Sequence, residues 1–168
     1  MKLMFLFLVL LLFLLLTYNM FPSGKLVVGQ KAPDFTLPDE TGTLHTLSKL
    51  RGSKVALYFY PKDFTPGCTK EACSLRDNFS QLKDKNIIIF GMSTDSSESH
   101  QQFQDKHALP FHLLSADKKT TKKYGVCGTL FTKRHTFLID EEGTIVGVIK
   151  NVDTSNHAQQ IIDGFDNK

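Results

Sequence analysis

An α/β sandwich built on a mixed central sheet is the fold class this chain predicts, and three observations carry it. Short apolar runs recur along the chain, helix-compatible segments separate them, and the last two runs are joined by a tight turn and followed by a closing helix. In order, strands are expected at 34–37, 43–46, 54–60, 87–93, 112–115, 134–139 and 144–150, with helices at 66–83, 96–107, 118–124 and 155–165. The run 54–60 reads as a buried strand, and Pro66 stands where a helix tolerates a missing N–H. Glu141-Glu142-Gly143 reads as a tight turn between the last two strands. Lys118, Lys119, Lys122 and Lys123 have no interleaved aromatic platform and mark a solvated helix face, not a nucleic-acid site.

The segment Tyr60-Pro61-Lys62-Asp63-Phe64-Thr65-Pro66-Gly67-Cys68 delivers a cysteine from the end of an apolar strand into the first turn of a helix. A thiol there meets free N–H groups and the positive end of the helix dipole, the setting that favours a nucleophilic thiolate. Cys68, Ala72, Leu75, Phe79 and Leu82 recur at helical spacing and form one apolar stripe, so Cys68 begins the core-facing side. Cys73 is rotated from it by roughly 140° and points elsewhere, beside Arg76 and Asp77. In an intact helix the two Cα atoms would stand roughly 8 to 9 Å apart, beyond the reach of a disulfide. If they form a redox pair, a folded attacking state must alternate with a locally unfolded disulfide state. Glu71 and Arg76 read as surface charge or local pairing on this helix, not as catalytic groups.

The N-terminus is of another kind. Residues 3–16 are an unbroken apolar run preceded by Lys2, and with 17–21 the largely apolar segment approaches the length that spans a bilayer. No Ala-x-Ala-like cleavage site and no lipoprotein cysteine follow, so residues 1–24 are expected to be a membrane anchor, with a cleaved signal as the alternative. Either reading puts residues 25–168, enough for one well-buried domain, outside the cytosol, in a periplasm-like space if the source is bacterial. Three cysteines are too few for a disulfide scaffold, and a net charge of +3 without charged tails argues against nucleic-acid binding.

Pro61, Thr65 and Cys68 form a Pro-x-x-x-Thr-x-x-Cys pattern, and Cys68 and Cys73 a Cys-x4-Cys pair. Together with Ala32-Pro33-Asp34-Phe35-Thr36-Leu37, Gly91-Met92-Ser93-Thr94-Asp95, Arg134-His135-Thr136-Phe137-Leu138-Ile139-Asp140 and Thr154-Ser155-Asn156-His157, the chain resembles the peroxiredoxins. The nearest type is the bacterioferritin comigratory protein, or peroxiredoxin Q. The resemblance implies a thioredoxin-like fold and a thiol peroxidase for hydrogen peroxide and organic hydroperoxides. It implies Cys68 as the peroxidatic nucleophile that becomes a sulfenic acid, and Thr65 as a hydroxyl that bonds thiolate and peroxide. Pro61 becomes a wall of the pocket and Arg134 the guanidinium that holds the thiolate and stabilises moving charge. Cys73 becomes the resolving cysteine, giving a Cys68–Cys73 disulfide within one monomeric chain that a thioredoxin-like dithiol donor reduces. No cofactor and no metal are implied. Cys127 has no role to carry over and reads as a structural or incidental thiol, with alternative resolving partner as a second reading.

Two rivals share parts of this description. A membrane-anchored copper chaperone of thioredoxin-like fold would use both cysteines and a distant histidine, but here the cysteines diverge on the helix. His135 and His157 are the candidates for its third ligand, each otherwise a surface histidine. A thiol–disulfide oxidoreductase normally needs a Cys-x-x-Cys pair, which is absent.

Overall fold

The computed structural model describes residues 26–167. The expected anchor or signal, 1–24, lies outside the described residues, and among those residues no helix is long and apolar enough to cross a membrane. Two short strands come first, β1 (Thr36–Pro38) and β2 (Leu44–Thr46), followed by a 3-10 turn at Leu47–Leu50. Then follow β3 (Lys54–Phe59), α1 (Pro66–Asp77), α2 (Phe79–Asp84), β4 (Ile87–Ser93), α3 (Ser97–His107), β5 (His112–Ser115), α4 (Lys118–Lys123), β6 (His135–Ile139), β7 (Ile145–Ile149) and α5 (His157–Asp166).

The main sheet has the order β5-β4-β3-β6-β7, while β1 and β2 pair antiparallel by themselves. β4 lies parallel to β3 and β5, whereas β6 is antiparallel to β3 and β7, so the sheet is mixed as expected and the fold is thioredoxin-like. β3 is its central strand: Leu57 stands opposite Phe90 on one side and Phe137 on the other. Side chains alternate across a strand. Ala56, Tyr58 and Tyr60 therefore enter one core with Leu75, Leu82, Phe103, Ile161 and Phe165, and Val55, Leu57 and Phe59 the other with Phe90, Met92, Phe137 and Tyr124. Burial on both faces explains why 54–60 is an apolar run without polar alternation.

The expected single helix 66–83 is two helices, α1 and α2, broken at Asn78. Asn78 leaves helical geometry at φ −113° and its Nδ2 donates to the Ser74 carbonyl at 2.9 Å, a local bond that competes with the continuing helix. The stripe survives the break. Cys68, Ala72, Leu75 and Leu82 are buried in one cluster, with Phe79 packed against it. The hairpin between β6 and β7 forms at the expected place: Gly143 adopts φ +75° and donates to the Asp140 carbonyl, while Asp140 Oδ1 accepts from the Glu142 and Thr144 amides.

Leu75 is wholly buried where α1 meets the sheet. Leu75→Ala is expected to cost about 2–5 kcal/mol, read as a lower urea midpoint with an unchanged m value.

Candidate active site

β3 ends by handing the Tyr60 amide to the Met92 carbonyl of β4, and the chain then turns away from the sheet as a loop. That loop is fastened from beneath by Asp63, only 3% exposed. Its carboxylate accepts from Tyr60 Oη at 2.7 Å and Ser99 Oγ at 2.7 Å and lies 2.9 Å from His100 Nδ1, while its amide donates to Asp95. Burial pushes the Asp63 carboxyl up, but His100, Tyr60 and Ser99 outweigh that and hold it below its ordinary value. Phe64 follows in the left-handed region at φ 61°, an uncommon place for a bulky residue, with its ring edge-on to Phe103 at 5.1 Å. Thr65 is the extended residue before α1, and Pro66 opens the helix.

Cys68, in the first turn of α1, is buried, and its sulfur accepts from Arg134 Nη2 at 3.2 Å. Arg134 immediately precedes β6, whose antiparallel pairing with β3 sets His135 opposite Phe59 and brings the guanidinium to the start of α1. A Cβ at Gly67 would stand 3.4 Å from Nη2, so the guanidinium lies against the first helical turn. The other end of the fork, Nη1, donates to Glu71 Oε2, which has no exposure to solvent. Burial works against the charge on Arg134, but Glu71 and Cys68 outweigh it and raise the guanidinium above its ordinary range. Glu71 Oε1 is 3.1 Å from Nδ1 of the buried His157 without alignment for a hydrogen bond, and His157 Nε2 sits 2.9 Å from Thr136 Oγ1.

The structure therefore brings Cys68 and Arg134 together, but it leaves other expected contacts unmade. The Thr65 hydroxyl donates to the Lys62 carbonyl at 3.0 Å and bonds neither the sulfur nor the helix start. Pro61 is half-buried where β3 ends. Cys73 is half-buried on another face of α1 beside Arg76, which also holds Asp77 and the His107 carbonyl. Cys68, Cys73 and Cys127 are all free thiols.

Two expectations are corrected. Glu71 is not surface charge: it sits three residues after Cys68 and four before Leu75, within the buried stripe, and that spacing is the signal that could have found it. His157 is not a surface histidine, and its nitrogens face Thr136 and Glu71 instead of a sulfur. Among the described residues, the group of three side chains close enough to share a metal contains neither cysteine, so the copper-chaperone arrangement is not formed. Asp63 and His100 also went unread, because the loop and α3 meet only in the fold.

Known proteins match this arrangement. The AhpC/TSA family model matches residues 28–148. A Coxiella burnetii protein whose provisional name is peroxiredoxin bcp is 48% identical over 144 residues, 80% of this chain and 95% of its own length. Peroxiredoxin Bcp of Escherichia coli is 40% identical over 148 residues, 83% of this chain and 95% of its own. The crystal structure of peroxidoxin BcpB from Mycobacterium tuberculosis superimposes with a TM-score of 0.78 at 34% identity, covering 83% of this chain and 96% of that one. The expected membrane-anchored or exported placement is corrected by the same matches. A span takes about 20 apolar residues, and the bacterial relatives have too little length outside the matched domain to hold one.

The Asp63 carboxyl has a lower pKa folded than unfolded, so its fastening of the loop is fully present above the unfolded value of about 3.9 and is lost as pH falls through the lower folded value. Amide resonances of Lys62, Asp63, Phe64, Thr65 and Gly67 are expected to broaden on acidification below about pH 4, and Asp63→Asn is expected to broaden the same set at neutral pH.

Proposed function

The chain belongs to the AhpC/TSA family, as a thiol peroxidase of the Bcp/peroxiredoxin Q type, and from that premise we propose that Cys68 is its peroxidatic nucleophile and Cys73 its resolving thiol. The observation that carries this reading is the guanidinium of Arg134 on the Cys68 sulfur at 3.2 Å, backed by a buried carboxylate.

The Cys68 thiolate attacks the terminal oxygen of the hydroperoxide and the O–O bond breaks. Sulfur supplies the electron pair, Cys68 becomes a sulfenic acid, and the departing oxygen takes a proton and leaves as water or an alcohol. Arg134, with N–H groups of the first helical turn, stabilises the charge that passes to the leaving oxygen. Thr65 has its proton engaged by the Lys62 carbonyl, which leaves its oxygen as an acceptor for the peroxide O–H. Pro61 walls the pocket against water. Cys73 then attacks the sulfenic sulfur, forming the Cys68–Cys73 disulfide and releasing water, and a thioredoxin-like dithiol donor returns both thiols by exchange.

Five residues of helix hold the two thiols roughly 8 to 9 Å apart at Cα, so resolution requires the first turn of α1 to unwind. Hydrogen peroxide and organic hydroperoxides are the substrates, and a pair that closes within one chain lets a monomer, with its domain in 25–168, complete the cycle.

Reduced full-length chain treated with one equivalent of hydrogen peroxide is expected to give a Cys68–Cys73 disulfide by peptide mass spectrometry. Cys73→Ser should stop at oxidised Cys68, Cys68→Ser should be inert, and Arg134→Ala should slow Cys68 oxidation about 10²- to 10³-fold. A Cys68–Cys127 product would reassign the resolving thiol, and oxidation indifferent to Cys68→Ser would sink the assignment of the nucleophile.

A further inference from the structure

Away from the thiols, the turn that joins β1 to β2 meets the start of β5 in a cluster of two imidazoles and two carboxylates. Asp39 Oδ2 lies 2.7 Å from His45 Nε2 and 3.4 Å from His112 Nδ1, and Glu40 Oε1 lies 2.7 Å from the same His112 nitrogen. Both carboxylates are buried to 2% of their side-chain surface, while His45 is 21% exposed and His112 49% exposed, so the cluster opens to solvent on the imidazole side.

From this arrangement we propose that Asp39, His45 and His112 bind one divalent cation of the zinc type.

Asp39 is oriented as a ligand whose second oxygen is already employed, and Glu40 seats the His112 ring. Asp39 Oδ1 accepts from the Thr41 amide, the Thr41 hydroxyl and the Thr43 amide, which fixes the group with Oδ2 toward the rings. Glu40 Oε2 accepts from the Leu113 amide at 3.0 Å, which turns Oε1 toward His112. Burial pushes the Asp39 carboxyl up, but the donors of Thr41, His45 and Thr43 outweigh it and hold it at about 2, so the oxygen is anionic at neutral pH. The rings are seated as well, since both pack on Phe90, His45 at 5.1 Å and His112 at 6.4 Å between centroids.

The His45 and His112 rings stand 4.9 Å apart, and a nitrogen of each faces Asp39 Oδ2. Asp39, His45 and His112 each offer one ligand atom, and these atoms all lie within 4.8 Å of one another. One cation can take all three. Bonds of about 2.0–2.2 Å to nitrogen and oxygen place tetrahedral ligand atoms roughly 3.3 Å apart, a spacing the Asp39–His112 pair already has and the 2.7 Å Asp39–His45 pair reaches by opening roughly 0.6 Å. Imidazole with carboxylate suits zinc and its borderline neighbours better than calcium or magnesium. On binding, His45 Nε2 and His112 Nδ1 carry no proton; it moves to the other ring nitrogen or to solvent. The cation would clamp the β1–β2 turn to β5. Since the Asp39 carbonyl accepts from Ser97 Oγ at 2.7 Å, it would also steady the first turn of α3, the helix whose Ser99 and His100 fasten the loop between β3 and α1.

The test is titration of the reduced, chelator-treated full chain with Co²⁺, followed by displacement with Zn²⁺. One equivalent bound with d–d absorption and no thiolate charge-transfer band is expected, and His45→Gln and His112→Gln, checked for fold by circular dichroism, should each weaken binding at least ~10-fold. No uptake, a thiolate band, or affinity unchanged in the two folded variants would overturn the proposal.

Discussion

A carboxylate with no exposure to solvent must have a partner or stay neutral, and Glu71 has Arg134. Removing one member of such a buried pair typically costs about 3–5 kcal/mol, because the other is left charged and dry. That penalty holds the guanidinium in place. With Nη1 committed to Glu71, the fork geometry of arginine leaves Nη2 fixed on the Cys68 sulfur, where a lysine would offer a single swinging charge. The thiol is thus presented to its donor by an ion pair set between α1 and the strand that crosses beside it.

The sheet makes that meeting possible. β3 is buried on both faces and carries the thiol-bearing helix at its end, and β6 runs back along it to bring Arg134 to the same edge. The loop between β3 and α1 is tied down independently, by Asp63 to Tyr60, Ser99 and His100, and this fastening holds Phe64 in its left-handed conformation. The Cys68–Cys73 bond proposed above would need the first turn of α1 to open against rigid anchoring on both sides of Cys68. That opening would run through the helix itself, between the fastened loop and the Asn78 break.

Much of this was legible in the sequence, for physical reasons that differ from residue to residue. The apolar run of β3 and the stripe from Cys68 to Leu82 are local patterns, so order, type and facing of these elements could be read directly. Asn78 was passed over because the hydrophobic period continues through it, although its side chain prefers local bonds to the helix ladder. Glu71 reads as surface charge or local pairing from its residue type, against its position in the buried stripe. His157, His100 and His112 find their partners across large sequence separations, and no spacing rule joins them. The apolar N-terminal segment illustrates the opposite hazard, since it suggests a placement for the whole domain although the match to the family model begins only at residue 28.

The claim that Glu71 acts through Arg134 on the reactivity of Cys68 is tested most directly by a double-mutant cycle. The second-order rate of Cys68 oxidation by hydrogen peroxide would be measured in the parent, Glu71→Gln, Arg134→Lys and the double variant. The account predicts strong non-additivity, with the double variant reacting no more slowly than Arg134→Lys alone. Rate losses that multiply would show that the carboxylate and the guanidinium act separately, and would contradict it.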